Sequence, residues 1–141
     1  MIGADRWGKE YASFSLPLCQ DNARAEGVTN AEFQHGDAAK LDFPDESFDA
    51  VTSNYVYHNI SSADKQLLLE TLRVLKKGGT FAIHDLMSQR RYGDMQDFVK
   101  KLKGMGYECV ELIDTTEGKF MSPSEAKRLM LTGSTLLAGR K

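Results

Sequence analysis

Cysteine is scarce. The chain has two, Cys19 and Cys109, far apart in sequence and in no C-x-x-C pair. That argues against a disulfide scaffold and against a Cys/His zinc site, so no metal is expected and the chain reads as reduced and cytoplasmic. Long apolar runs are missing too: a stretch such as Leu67-Leu68-Leu69 falls far short of the ~20 residues a membrane span needs. Nor is there an excess of one charge. A net charge of −2 offers no basic patch for nucleic acid. The opening Met1-Ile2-Gly3-Ala4-Asp5 lacks the charged and apolar regions of a secretory leader. Repeats, low-complexity tracts and linkers are absent, and 141 residues suit a single domain, 1–141. A G-x-G-x-G turn is also absent; the closest glycines are Gly78-Gly79 and Gly104-x-Gly106.

What is present is an alternation of short apolar runs with helical patterns. Met1–Ala4 reads as a short strand ending on Asp5. Ser15–Glu26 reads as a helix with Pro17 in its first turn and Gly27 closing it. Ala31–His35 and Phe48–Ser53 read as strands. Ser61-x-x-Asp64 can cap a helix with positions 67, 68, 71, 72 and 75 on one face, stopped by Gly78-Gly79. Thr80–Asp85 is the next strand. Asp94 opens a helix with Phe98, Leu102 and Met105 on one face, stopped by Gly106. Tyr107–Ile113 is a strand, Ser122-Pro123-x-Glu125 is a capping box that starts a helix to about Leu131, and Thr135–Gly139 closes the chain. Strands alternating with helices predict an α/β fold with a mainly parallel sheet, its last two strands antiparallel.

In open parallel sheets, ligands bind beyond the C-terminal ends of the strands. The predicted strands end at Asp5, at Gly36-Asp37-Ala38, at Ser53-Asn54-Tyr55 and at His84-Asp85. One carboxylate can accept both hydroxyls of a ribose, and another can accept an exocyclic amine. Aspartate is common at any turn, so these acids alone fix nothing.

Two runs carry a resemblance. Gly36-Asp37-Ala38 with Leu41-Asp42-Phe43-Pro44-Asp45 and Ser47-Phe48-Asp49-Ala50-Val51 is similar to the GDA…LPF…FD run of class I S-adenosylmethionine-dependent methyltransferases. Leu72-Arg73-Val74-Leu75-Lys76-Lys77-Gly78-Gly79 is similar to their RVLKPGG turn, with Lys77 in place of proline. The chain most resembles the small-molecule methyltransferases of ubiquinone and menaquinone biosynthesis. The resemblance implies a Rossmann-like doubly wound, mostly parallel sheet with an antiparallel C-terminal strand. It implies S-adenosylmethionine as cofactor and methyl transfer to a small-molecule acceptor. Asp5 would bind the ribose, Trp7 border the adenine, Asp37 meet the adenine amine, Ala38 pack on the ring, and Ser53 and Asn54 line the methionine half. Asp49, Arg73 and Gly78-Gly79 read as fold-forming.

Tyr55-Val56-Tyr57-His58-Asn59 follows the third strand, where the acceptor is expected. His58 is the candidate catalytic base, weighed against a histidine satisfied by nearby backbone. His35 and His84 read as structural. Tyr55 and Tyr57 either wall the acceptor site or pack on the next helix. Short-chain dehydrogenases share the alternation, but they need an early glycine fingerprint and Tyr-x-x-x-Lys, and no tyrosine here has lysine four positions on.

The chain departs from the family in lacking the first strand with its glycine-rich loop. It therefore reads as an N-terminally truncated fragment with impaired cofactor binding. The alternative is a non-catalytic methyltransferase-like domain that keeps the fold without binding cofactor. In the family the absent strand is central, which leaves strand edges to be paired. Either Met1–Ala4 pairs with Phe48–Ser53, or another copy supplies a strand. The homo-oligomer is the favoured expectation, because Met1–Ala4 is short and Gly3 weakens it.

Overall fold

The computed structural model describes residues 1–8, 13–60 and 65–141. They form two compact units, Met1–Asp42 and Phe43–Lys141.

In the first unit, β1 (Ile2–Asp5) and β2 (Glu32–His35) pair in parallel, Ile2 opposite Glu32 and Asp5 opposite His35. Helix α1 (Leu16–Ala25) lies between them in sequence. It starts where expected: the Ser15 hydroxyl accepts from the Leu18 N–H, and Pro17 occupies the first turn, where no N–H is missed. None of the unit's described residues is fully buried, so its cohesion rests largely on the strand ladder and half-buried groups such as Phe33.

The second unit holds the core. Its strands are β3 (Phe48–Asn54), β4 (Leu75–Leu86), β5 (Glu108–Asp114) and β6 (Ser134–Arg140), in the order β3-β4-β6-β5. β3 and β4 are parallel, whereas β6 is antiparallel to both β4 and β5, as expected for the last two strands. Helix α2 (Lys65–Arg73) buries Leu67, Leu68, Thr71 and Leu72, one face of a 3.6-residue period. α3 (Gln89–Tyr92) is a single turn. α4 (Met95–Gly104) is capped by Asp94, whose carboxylate accepts from the Gln96 and Asp97 N–H groups. α5 (Pro123–Arg128) begins with the predicted Ser122–Glu125 capping box. Phe98, Leu68, Leu72, Leu75, Ile83, Leu102 and Leu137 are essentially inaccessible.

Several boundaries differ from expectation. Gly78-Gly79 does not stop α2, which ends at Arg73; the pair lies inside β4. Leu75, expected on the helical face, is already strand and faces Phe48. Between the pairs Phe48–Leu75 and Ala50–Thr80 the ladder slips, and Lys76–Gly79 bulge out. The glycine at 79 answers to space: a Cβ there would sit 2.8 Å from the Asp49 carbonyl oxygen and 2.9 Å from that of Lys76. Met105 caps the end of α4 and is half exposed rather than part of its apolar face. α5 ends at Arg128, short of Leu131, and Met130 takes a left-handed φ of 57°. α3 has no counterpart in the sequence reading. The proposed Ser61–Asp64 cap lies outside the described residues.

Candidate functional site

Within Met1–Asp42, the parallel pairing brings Asp5 and Asp37 to one end of the two-stranded sheet, because Asp5 faces His35 and Asp37 follows two residues on. Each carboxylate orders its own turn. Asp5 Oδ1 accepts from the Trp7 N–H at 2.9 Å, and Asp37 Oδ1 from the Ala39 N–H at 2.8 Å. Both side chains are exposed, and neither Oδ2 is bonded by a described residue. Trp7 adopts a φ of 42°, rare for a bulky residue, and meets the His35 ring edge-on with centroids 5.1 Å apart. Ala38 is half buried beside Asp37.

Within Phe43–Lys141, β3 and β4 run parallel, so Ser53 and Asn54 end level with Ile83 and His84. His84 is a bridge: Nδ1 lies 2.9 Å from Asn54 Oδ1, and Nε2 lies 2.9 Å from the Thr115 hydroxyl. The Thr115 hydroxyl in turn donates to the Ser134 carbonyl at 3.0 Å. The His84 bridge fixes the Asn54 amide. Tyr55, at φ 53°, turns the chain away from β3 and stacks at a tilt on His84, with centroids 4.6 Å apart. Its hydroxyl donates to Ser134 Oγ at 2.9 Å.

A single 3-10 turn, Tyr57–Asn59, then carries His58. Its ring Nδ1 is 2.9 Å from Asp85 Oδ1, and the ring is a quarter exposed. Asp85 is fully buried; it was expected at the end of its strand but was given no role there. It had a signal: Phe81, Ile83 and Asp85 alternate along β4, so the acid falls on the buried face. Tyr57 is buried, and that burial pushes its hydroxyl above the usual tyrosine range. It packs inward against α2 through Thr71, which settles the choice left open for this tyrosine. Tyr55, by contrast, touches both His58 and His84.

Asp49 is exposed and paired with Lys76 Nζ at 2.8 Å, which holds its carboxyl below the ordinary range. Arg73 donates to Glu70, to Asp45 and to the Phe43 carbonyl, tying α2 to the segment before β3.

The methyltransferase domain family matches residues 3–83. This chain belongs to that family. An uncharacterized methyltransferase of Bacillus subtilis, YcgJ, is 44% identical over 78 residues, covering 55% of this chain and 30% of that protein. The demethylmenaquinone methyltransferase of Listeria welshimeri is 36% identical over 78 residues, covering 55% and 33%. The aligned segment thus spans about a third of these curated relatives. Among solved structures, a phosphoethanolamine N-methyltransferase of Haemonchus contortus, bound to phosphomonomethylethanolamine and S-adenosylhomocysteine, superposes with a TM-score of 0.68. It covers 99% of this chain and 43% of that one, at 17% identity. That likeness concerns the fold, which is the Rossmann-like α/β architecture of methyltransferases. No described helix is long and apolar enough to cross a membrane.

Proposed function

We propose that this chain is part of an enzyme that transfers a methyl group from S-adenosylmethionine to a small-molecule acceptor. The observation that carries the proposal is the pair Asp5 and Asp37 at one end of the parallel β1–β2 pair, each with an oxygen that no described residue bonds. The donor chemistry fits the nucleoside half of the cofactor. Asp5 takes the ribose hydroxyls and Asp37 the adenine amine, with Trp7 and Ala38 as apolar flanks. Ser53 and the bridged Asn54 serve the methionine half. The fit stops at the close-approach turn: the sequence holds no glycine-rich loop, whose missing side chains would let backbone approach the cofactor. Affinity is therefore weakened.

When bound, the sulfonium supplies an electrophilic methyl carbon. The protein aligns the acceptor at about 3–3.5 Å, excludes water and, at His58, receives a proton where the acceptor carries one. The family match runs across the Asp42–Phe43 junction, which supports treating the two units as one methyltransferase domain. The cytoplasm is the proposed location, and a second copy of the chain is the proposed protein partner.

Titration with S-adenosylhomocysteine, followed by calorimetry, tests the reading. Binding is expected to be weak and to fall roughly ten- to a hundredfold in Asp5→Ala, the loss of a charge-assisted hydrogen bond. His58→Ala should leave it nearly unchanged. No detectable binding by the unaltered chain would favour a domain that keeps the fold without the cofactor.

A further inference from the structure

Asp85 is a carboxylate with no access to water, and His58 is its one ion-pair partner among the described residues. A buried carboxylate needs donors, and Asp85 has an unusual set. The Tyr57 N–H donates to Oδ2 at 2.7 Å, the His58 N–H lies 3.3 Å from both oxygens, and the Leu86 N–H donates to Oδ1 at 2.6 Å. The His58 ring at 2.9 Å is a fourth group on the same carboxylate. Backbone donors from both sides therefore already hold Asp85, and the ring bond adds a constraint on the histidine.

An ionised carboxylate only accepts, so the ring nitrogen facing it carries the proton. In the neutral imidazole the lone pair is then on Nε2, which no described residue bonds. Arg91 donates to the His58 carbonyl and Tyr55 meets the ring edge-on, with centroids 6.1 Å apart, so backbone and ring are both held.

Resting on methyl transfer as the reaction, we propose that Asp85 is the positioning residue of His58: it holds Nδ1–H and so presents Nε2 as the base for the methyl acceptor. The step balances. The acceptor's proton passes to Nε2, and its freed lone pair forms the bond to the methyl carbon. The carbon–sulfur bond breaks with its electrons to sulfur, which leaves as a neutral thioether. The imidazolium that remains is paired with the Asp85 carboxylate. A carboxylate that only closed the 3-10 turn would need the backbone bonds and not the ring.

Long-range proton–nitrogen NMR of the labelled chain, at a pH where histidines are neutral, reads the tautomer directly, with His58 assigned by its loss in His58→Gln. The expected pattern is Nδ1–H with an unprotonated Nε2. In Asp85→Leu nothing at that position accepts, and the pattern should move toward Nε2–H. An Nε2–H tautomer in the unaltered protein overturns the proposal without recourse to any variant. Retention of Nδ1–H in a folded Asp85→Leu chain overturns it too, because the ring is then held by something else. Failure of the methyl-transfer reading shows up separately, as absent S-adenosylhomocysteine binding, and does not change the tautomer.

Discussion

The Tyr57 hydroxyl lies 2.6 Å from the Thr71 hydroxyl, and both side chains are buried. Thr71 already donates its single proton to the Leu67 carbonyl at 3.1 Å, so Tyr57 is the donor between the two. The bond ties the turn carrying His58 to α2. Tyr57→Phe should cost about 0.5–1.5 kcal/mol in urea unfolding, with the slope unchanged. Thr71→Val should cost more, about 1–3 kcal/mol, because it leaves a buried phenol without its acceptor. The sign of the pH effect follows from burial, which raises the folded pKa of Tyr57. Its contribution is complete below the unfolded value near 10 and is lost as pH rises through the folded one. Tyr57→Phe should therefore lessen the loss of stability in alkali, as read by unfolding at a series of high pH values.

Two glycines make opposite predictions. Gly79 has no room for a methyl group, since the nearest atoms include two backbone carbonyls that cannot rotate away. Gly79→Ala should destabilise by about 1–3 kcal/mol or more. Gly104, at the end of α4, has nothing within 4 Å of its would-be Cβ. Gly104→Ala should stabilise by about 0.4–1 kcal/mol, through the unfolded chain. Thermal unfolding of the two variants side by side checks both signs.

Much of this architecture was legible. Ser15, Asp94 and Ser122 each cap the helix their spacing announced, because capping is local chemistry within three or four residues. Asp5 and Asn54 close β1 and β3 as the apolar runs announced, whereas Asp85, expected at a strand end, lies inside β4, which runs on to Leu86. The end of α2 was not legible. Leu72, Leu75 and Gly79 suit a helix stopped by glycine, yet pairing with β3 draws Leu75 into the ladder, and that is a tertiary decision. The bond between Asp85 and His58 was hidden for a related reason. The two lie 27 positions apart, and only the parallel pairing of β3 with β4 brings the turn after one to the end of the other.

The capping box of α5 gives a further test. Ser122 Oγ and the Ser122 N–H both donate to Glu125 Oε2, at 2.6 and 2.9 Å, and hold its carboxyl below the usual glutamate range. A lowered folded pKa means the contribution is present above the unfolded value and lost as pH falls through the folded one. Amide exchange of the first turn of α5 should therefore accelerate, relative to α4, in acid below the glutamate range. Glu125→Gln should remove most of that acid sensitivity while keeping the helix. An equal acceleration in both helices would trace the effect to global unfolding.

Among the described residues, the one partner of β3 in the four-stranded sheet is β4, so the opposite edge of this seven-residue strand is unpaired in that sheet. Natural edges are guarded by proline, lysine or a short length. β3 has no proline and no lysine; its one charge, Asp49, is near the start and occupied by Lys76. From Ala50 to Asn54 the strand is neutral, and Ala50, Thr52 and Asn54 are exposed. Such an edge is a template for a strand from a second copy. Light scattering after size exclusion should give more than the monomer mass of 15.7 kDa at tens of micromolar, falling toward it on dilution. Thr52→Lys puts an exposed charge in the middle of the strand and should shift the equilibrium to monomer. Circular dichroism of the variant distinguishes that shift from unfolding. A monomer at every concentration would show that the β3 edge is not where copies of this chain meet.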